Sequence, residues 1–119
     1  MEYSLGVIEK KFAELIWQNE PVRSTQLVQM ASEQLGWKKS TTFTVLRRLT
    51  EKGLFQNQNG VVTSMISKEA FEAKQSTGFV EEVFEGSLPA FLAAFSREKP
   101  LSQEEIEALH RWIDAFEEK

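Results

Sequence analysis

One stretch constrains this chain more than any other: residues 40–52, STTFTVLRRLTEK. Wound as a helix at about 100° per residue, it separates into two sides. Thr42, Val45, Leu46 and Leu49 gather on one side as a stripe fit for a core. Ser40, Thr41, Thr44, Arg47, Arg48 and Glu51 gather on the other, with small hydroxyls near the start and two guanidinium groups one to two turns later. Ser40 suits the N-cap, because a serine oxygen can take up a free first-turn amide. Gly53 suits the stop after Lys52, since glycine enters the left-handed conformation without a Cβ penalty.

The flanking residues place this helix third in a series. Leu5, Ile8, Phe12, Leu15 and Ile16 recur at helical spacing over residues 5–18, and Asn19-Glu20-Pro21 ends that run, because proline pushes its predecessor out of helical geometry. Ser24 caps a second predicted helix over residues 25–35, with Leu27, Val28, Met30, Ala31 and Leu35 for the core and Gly36 as its stop. Residues 54–58 and 61–66 read as strands around Asn59-Gly60, a strong two-residue hairpin signal. The fold class is therefore mainly α with a small β-hairpin. Three helices and a hairpin over residues 1–67 is the order of a winged helix-turn-helix.

From residue 68 the pattern changes. A Glu-rich helical stretch carries Phe71, Phe79, Val83 and Phe84, and is interrupted at Gly86, Ser87 and Pro89. Leu88, Phe91, Leu92 and Phe95 follow, up to Pro100. Ser102-Gln103-Glu104-Glu105 is a capping box, and the helix it opens presents Ile106, Leu109, Trp112, Ile113 and Phe116 on one side. Helices this short cannot bury so many large side chains among themselves, so residues 68–119 read as a helical dimerisation segment covered by a second copy. The other reading folds these residues back on the first half.

Net charge is −4, but its distribution says more than its sum. Residues 1–66 hold eight Lys and Arg against six Glu; residues 67–119 hold six against twelve acids. Lys38, Lys39, Arg47, Arg48 and Lys52 crowd into fifteen positions around the third helix. With 41% hydrophobic residues, a real core is available. The absence of cysteine removes disulfides, thiolate nucleophiles and cysteine-rich zinc sites. His110, the only histidine, has neither a second histidine nor a glycine-rich phosphate loop beside it, and neighbouring acids such as Glu81-Glu82 diverge on a helix. These observations argue against an enzyme, and they imply neither metal nor cofactor. No apolar run reaches membrane-spanning length, and the N-terminus lacks the pattern of a signal peptide, so a cytoplasmic chain without membrane insertion is expected.

In a helix-turn-helix the N-terminal part of the second helix of the motif enters the major groove. Hydroxyls there reach base edges or phosphates, and arginine reads guanine with two hydrogen bonds or clamps a phosphate. The competing reading of Arg47 and Arg48 is a solvated face paired with Glu51, and that of the whole module is a protein–protein interaction domain that never meets DNA. Phe43, on the flank, reads first as a cover for the junction with the second helix.

Trp37 and the segment after it resemble the penicillinase repressor family, which includes beta-lactamase, methicillin-resistance and copper-transport repressors. The family pattern of Trp, then Thr-x-x-Thr-x-Leu-x-Arg-Leu-x-x-Lys-Gly, is matched at Trp37, Thr41, Thr44, Leu46, Arg48, Leu49, Lys52 and Gly53. Leu5, Glu9 and Trp17 fit its first helix; Gly86-Ser87-Leu88 and the segment from Leu101 to Leu109 fit its C-terminal part. The resemblance implies a homodimeric repressor that binds a palindromic DNA operator. Thr41, Thr44 and Arg48 would lie in the recognition helix, and the hairpin, with Asn59 at its turn, along the DNA backbone. It also implies a membrane sensor-protease partner that triggers cleavage before a phenylalanine following an asparagine. Here the aligned pair is Ala94-Phe95, which departs from that pattern. The wing departs as well, with Val61 and Met65 where arginine and tyrosine are common, and no C-terminal cysteine pair of the copper branch is present.

Overall fold

Helix boundaries follow from local chemistry at most positions. The computed structural model describes residues 5–117. Its first helix, α1 (Val7–Asn19), starts where the Gly6 amide donates to the Glu9 carboxylate at 3.3 Å. Helix α2 (Ser24–Leu35) ends at Gly36, whose φ of 70° is the left-handed cap that glycine supplies. Helix α3 spans Lys39–Glu51, with Lys38 as N-cap and Lys52 as C-cap. Ser40 therefore lies inside the first turn rather than capping it, which corrects the sequence expectation. The helix starts one residue earlier because the Lys38 carbonyl already accepts the Thr42 amide at 3.0 Å.

Strands β2 (Phe55–Gln58) and β3 (Val61–Ser64) form the expected antiparallel hairpin, with Asn59 and Gly60 both at positive φ as a two-residue turn of this type requires. A third strand, β1 (Val22–Arg23), joins them in the order β1-β3-β2 by pairing Val22 with Val62. Two residues carry no periodicity, so β1 exists only through its partner. The Glu20 carboxylate accepts the Ser64 amide and hydroxyl, both at 2.8 Å, and ties the end of α1 to β3.

The chain divides into two compact units between Gly78 and Phe79. In the first, Phe12, Ile16, Leu27, Leu49, Leu54, Phe55, Val62 and Phe71 are fully buried, and Thr42, Val45 and Leu46 bring the apolar side of α3 into the same core. Phe71 needs a correction. Sequence placed it among the pairing residues, yet its ring is 0% exposed and lies 5.6 Å from Trp17, so its own chain covers it. The Trp17 indole N–H donates to the Ile66 carbonyl at 3.0 Å, and this contact fastens the exit of the hairpin. Residues from Lys68 to Gly78, the first part of helix α4 (Lys68–Phe84), thus pack with the winged unit.

In the second unit, Ser87 caps helix α5 (Leu88–Glu98) through the Ala90 amide at 3.1 Å. Helix α6 (Gln103–Glu117) opens with the expected capping box: the Glu105 amide donates to the Ser102 hydroxyl at 3.1 Å, and the Ser102 amide to the Glu105 carboxylate at 2.9 Å. Neither α5 nor α6 buries a single residue. Among the described residues, no helix is long and apolar enough to cross a membrane.

Candidate nucleic-acid interface

Helix α3 is held by its apolar side and leaves its polar side open. The Thr42 hydroxyl, fully buried, donates to the Lys38 carbonyl at 3.2 Å, so this one polar atom within the stripe is satisfied. On the opposite side Lys38, Lys39, Ser40, Thr41, Arg47, Arg48 and Glu51 are exposed and Thr44 is half-buried. All the hydroxyl and guanidinium groups that the sequence assigned to the outer face are therefore brought together on one helix surface.

The electrostatics of that surface separate its cations. Among the described residues, no carboxylate forms an ion pair with Lys38, Lys39, Arg47 or Arg48. The Glu51 partner that would have made Arg47 and Arg48 a self-compensated face is not engaged. Lys52 differs: it is half-buried, and its ammonium lies 3.9 Å from the Glu9 carboxylate. This distinction is tertiary, since Glu9 comes from α1. No side chain caps the N-terminus of α3, so its first-turn amides remain directed outward beside Lys38 and Lys39. These amides and cations together make a surface suited to anions.

The hydroxyls are not equivalent either. The Thr44 hydroxyl donates to the Ser40 carbonyl at 2.9 Å, and the Thr50 hydroxyl to the Arg47 carbonyl at 2.7 Å. With its proton engaged, Thr44 offers outward only oxygen lone pairs and a methyl group. Phe43 is 36% exposed and lines a groove with Asn57 of β2. Asn57 went unnoticed in sequence because a polar residue within a short hairpin strand carries no distinguishing signal. Asn59 sits exposed at the hairpin turn. Trp37, just before α3, packs its ring 5.1 Å from Phe12 while remaining partly exposed. Among the described residues, no group of three or more His, Cys, Asp or Glu side chains is placed to hold a metal ion.

The residues that the sequence reading expected to pair two copies, Phe71 apart, lie in the second unit in a different state. Phe79, Phe84, Phe91 and Phe95 form a run of ring contacts with centroids 5.7 to 6.3 Å apart. Trp112 and Phe116 meet at 4.5 Å on α6, yet both stay more than half exposed. Val83, Leu88 and Ile113 are also exposed, whereas Leu92, Ile106 and Leu109 are half-buried.

Comparison with known proteins covers nearly the whole chain. The methicillin resistance regulatory protein MecI of Staphylococcus aureus strain Mu50 is 25% identical over 116 residues, covering 94% of each chain. The penicillinase repressor of Bacillus licheniformis is 26% identical over 110 residues, covering 89% of this chain and 86% of its own length. The family model described as "Penicillinase repressor" matches residues 5–115, nearly the full length. On that match, and with three helices, a wing and a helical C-terminal unit in place, the chain belongs to the penicillinase repressor family of transcriptional repressors.

Proposed function

We propose that this repressor acts as a homodimer in the cytoplasm, binding a palindromic double-stranded DNA operator through α3. The observation that carries the reading is the set of four exposed cations on and before α3, Lys38, Lys39, Arg47 and Arg48, with no carboxylate partner among the described residues. Unpaired cations on a helix whose other side is fixed in a core can neutralise phosphates without first giving up an internal partner. Thr41 and Thr44 enter the major groove with them. Thr44, a lone-pair acceptor, matches the amino groups of adenine or cytosine, and its methyl matches the thymine methyl. Arg48 reads a base or holds a phosphate, Ser40 and Lys38 line the backbone near the helix start, and Asn59 reaches it from the wing. Lys52 contributes least, since its ammonium already meets Glu9.

The second copy of the chain covers the open apolar faces of α5 and α6. Helices with Phe91, Leu92, Phe95, Leu109, Trp112 and Phe116 and no buried residue lack a core of their own, and a two-fold partner supplies one. The Ala94-Phe95 bond lies within α5, so any sensor-protease acting there has to unwind that helix first.

The test is titration of genomic fragments selected by the protein itself, followed by fluorescence anisotropy at several salt concentrations. Four phosphate contacts per subunit give a slope of log affinity against log salt of about −7 for the dimer. Trp37 emission should respond to the same fragments. A slope near zero, or Trp37 emission responding only to protein partners, overturns the reading. Within the interface, Arg48→Ala is expected to cost about 1–3 kcal/mol if Arg48 reads a base.

A further inference from the structure

Beside the outer face of α3 lies a cavity of about 330 Å3 lined by Phe43, Leu46, Arg47, Thr50 and Asn57. It belongs to the first unit and runs between the flank of α3 and strand β2. Its chemistry is mixed in a particular way. Leu46 is buried, so the floor is apolar, and the Phe43 ring adds a partly exposed apolar wall. Arg47 contributes a guanidinium with no carboxylate partner among the described residues, and Asn57, exposed, contributes an amide with two N–H donors. The Thr50 hydroxyl has its proton on the Arg47 carbonyl at 2.7 Å, so it adds no competing donor and fixes the side chain beside Arg47. Among the described residues, no acidic side chain lines the groove.

We propose that this groove seats the sugar–phosphate strand that walls the major groove, with Asn57 and Arg47 holding one phosphate between α3 and the wing and Phe43 packing on the adjoining deoxyribose. The inference rests on the DNA-binding reading above, shares Arg47 with it, and adds Phe43 and Asn57, which that reading does not need. A helix in the major groove is flanked on each side by a backbone ridge, and the ridge on the wing side would meet a slot that combines apolar and cationic side chains. A deoxyribose presents an apolar face and the next phosphate a charge, so a slot that offers both kinds of surface suits such a strand. A guanidinium and an amide on opposite walls satisfy two oxygens of one phosphate. Contacts of this kind set register on the duplex and do not read bases.

The experiment compares the full-length protein with Asn57→Ala, Asn57→Asp, Phe43→Ala and Arg47→Ala on two probes, a selected genomic fragment and a mixed-sequence 30-base-pair duplex. Circular dichroism melting of each variant separates folding from binding, and Asn57→Asp preserves shape while placing a negative charge in the slot. Asn57→Ala is expected to weaken binding about tenfold per subunit, about a hundredfold for the dimer, as for one charge-assisted hydrogen bond lost in each copy, and by the same factor on both probes. Phe43→Ala is expected to weaken it about threefold on both, and Asn57→Asp more than Asn57→Ala. Arg47→Ala should also reduce the salt slope by about 1.8 for the dimer, whereas Asn57→Ala should leave it unchanged. Loss confined to the selected fragment, or folded Asn57→Ala and Asn57→Asp variants that bind both probes like the parent, overturns the backbone seat and leaves the DNA-binding reading standing. Failure of the unmodified protein to bind either duplex overturns both.

Discussion

The two units of this chain use similar material differently. In the first, α3 sets Thr42, Val45, Leu46 and Leu49 into a core and leaves its cationic side to solvent. In the second, α6 is just as amphipathic in sequence, yet its apolar side stays open, with Trp112 56% and Phe116 58% exposed. The same helical periodicity thus ends in a closed surface in one place and an unfinished one in the other. The difference lies in what surrounds each helix. Helix α3 has α2 and strand β2 against it and shares its core with α1, whereas the second unit has only short helices separated by Gly86 and Pro100. A pattern of apolar residues says that a face must be covered, and it does not say by which chain.

The sharpest way to break this contrast is to attack the closed core. Phe12→Ala removes a side chain that is 0% exposed and packed on Trp37, and it should lower the stability of the first unit by about 3–5 kcal/mol. Thermal melts at several protein concentrations should show the same loss throughout. A loss that varies with dilution would mean that the first unit, too, is completed by a partner.

Trp112→Ala should behave in the opposite manner. If a second copy covers α6, truncating its largest exposed aromatic raises the dimer dissociation constant about thirtyfold or more, equivalent to at least about 2 kcal/mol. Sedimentation equilibrium reads this directly, and the melting of the first unit should hardly move. A parent protein that is monomeric at micromolar concentration, or a variant with unchanged association, would leave the open face of α6 without the proposed occupant.

Sequence reached the elements whose signals are local and missed those decided by distant neighbours. The stripe on α3, the Asn59-Gly60 turn and the Ser102 capping box each depend on residues within a few positions, and each appears where the sequence puts it. Phe71 and Phe79 look alike along α4, and only the Trp17 ring, more than fifty positions away, decides that Phe71 belongs to the winged core. Likewise Lys52 looked equal to Arg48 until α1 brought Glu9 within 3.9 Å of it. Strand β1 and the slot between Phe43 and Asn57 arise from pairing across the fold, so no window of residues contains them.

The smallest effect expected concerns the start of α6 and tests the second unit alone. The hydrogen bond from the Ser102 amide, then that with the Ser102 side chain, holds the Glu105 carboxyl below the ordinary glutamate value of 4.5. A carboxylate whose folded value is depressed stabilises the folded state above its unfolded value, and loses that contribution as pH falls through the folded one. The advantage of the parent over Glu105→Ala should therefore be full at neutral pH and shrink in acid, from about pH 4.5 downward. Because the capping box lies in the unit whose apolar faces are open, the loss should appear as weaker association of the chains. The melting of the first unit should be unaffected. Scanning dissociation of the parent and Glu105→Ala across this range would separate the two. An equal gap at every pH would make the glutamate a mere helix former, and a gap confined to the first unit would place the cap in the wrong half of the molecule.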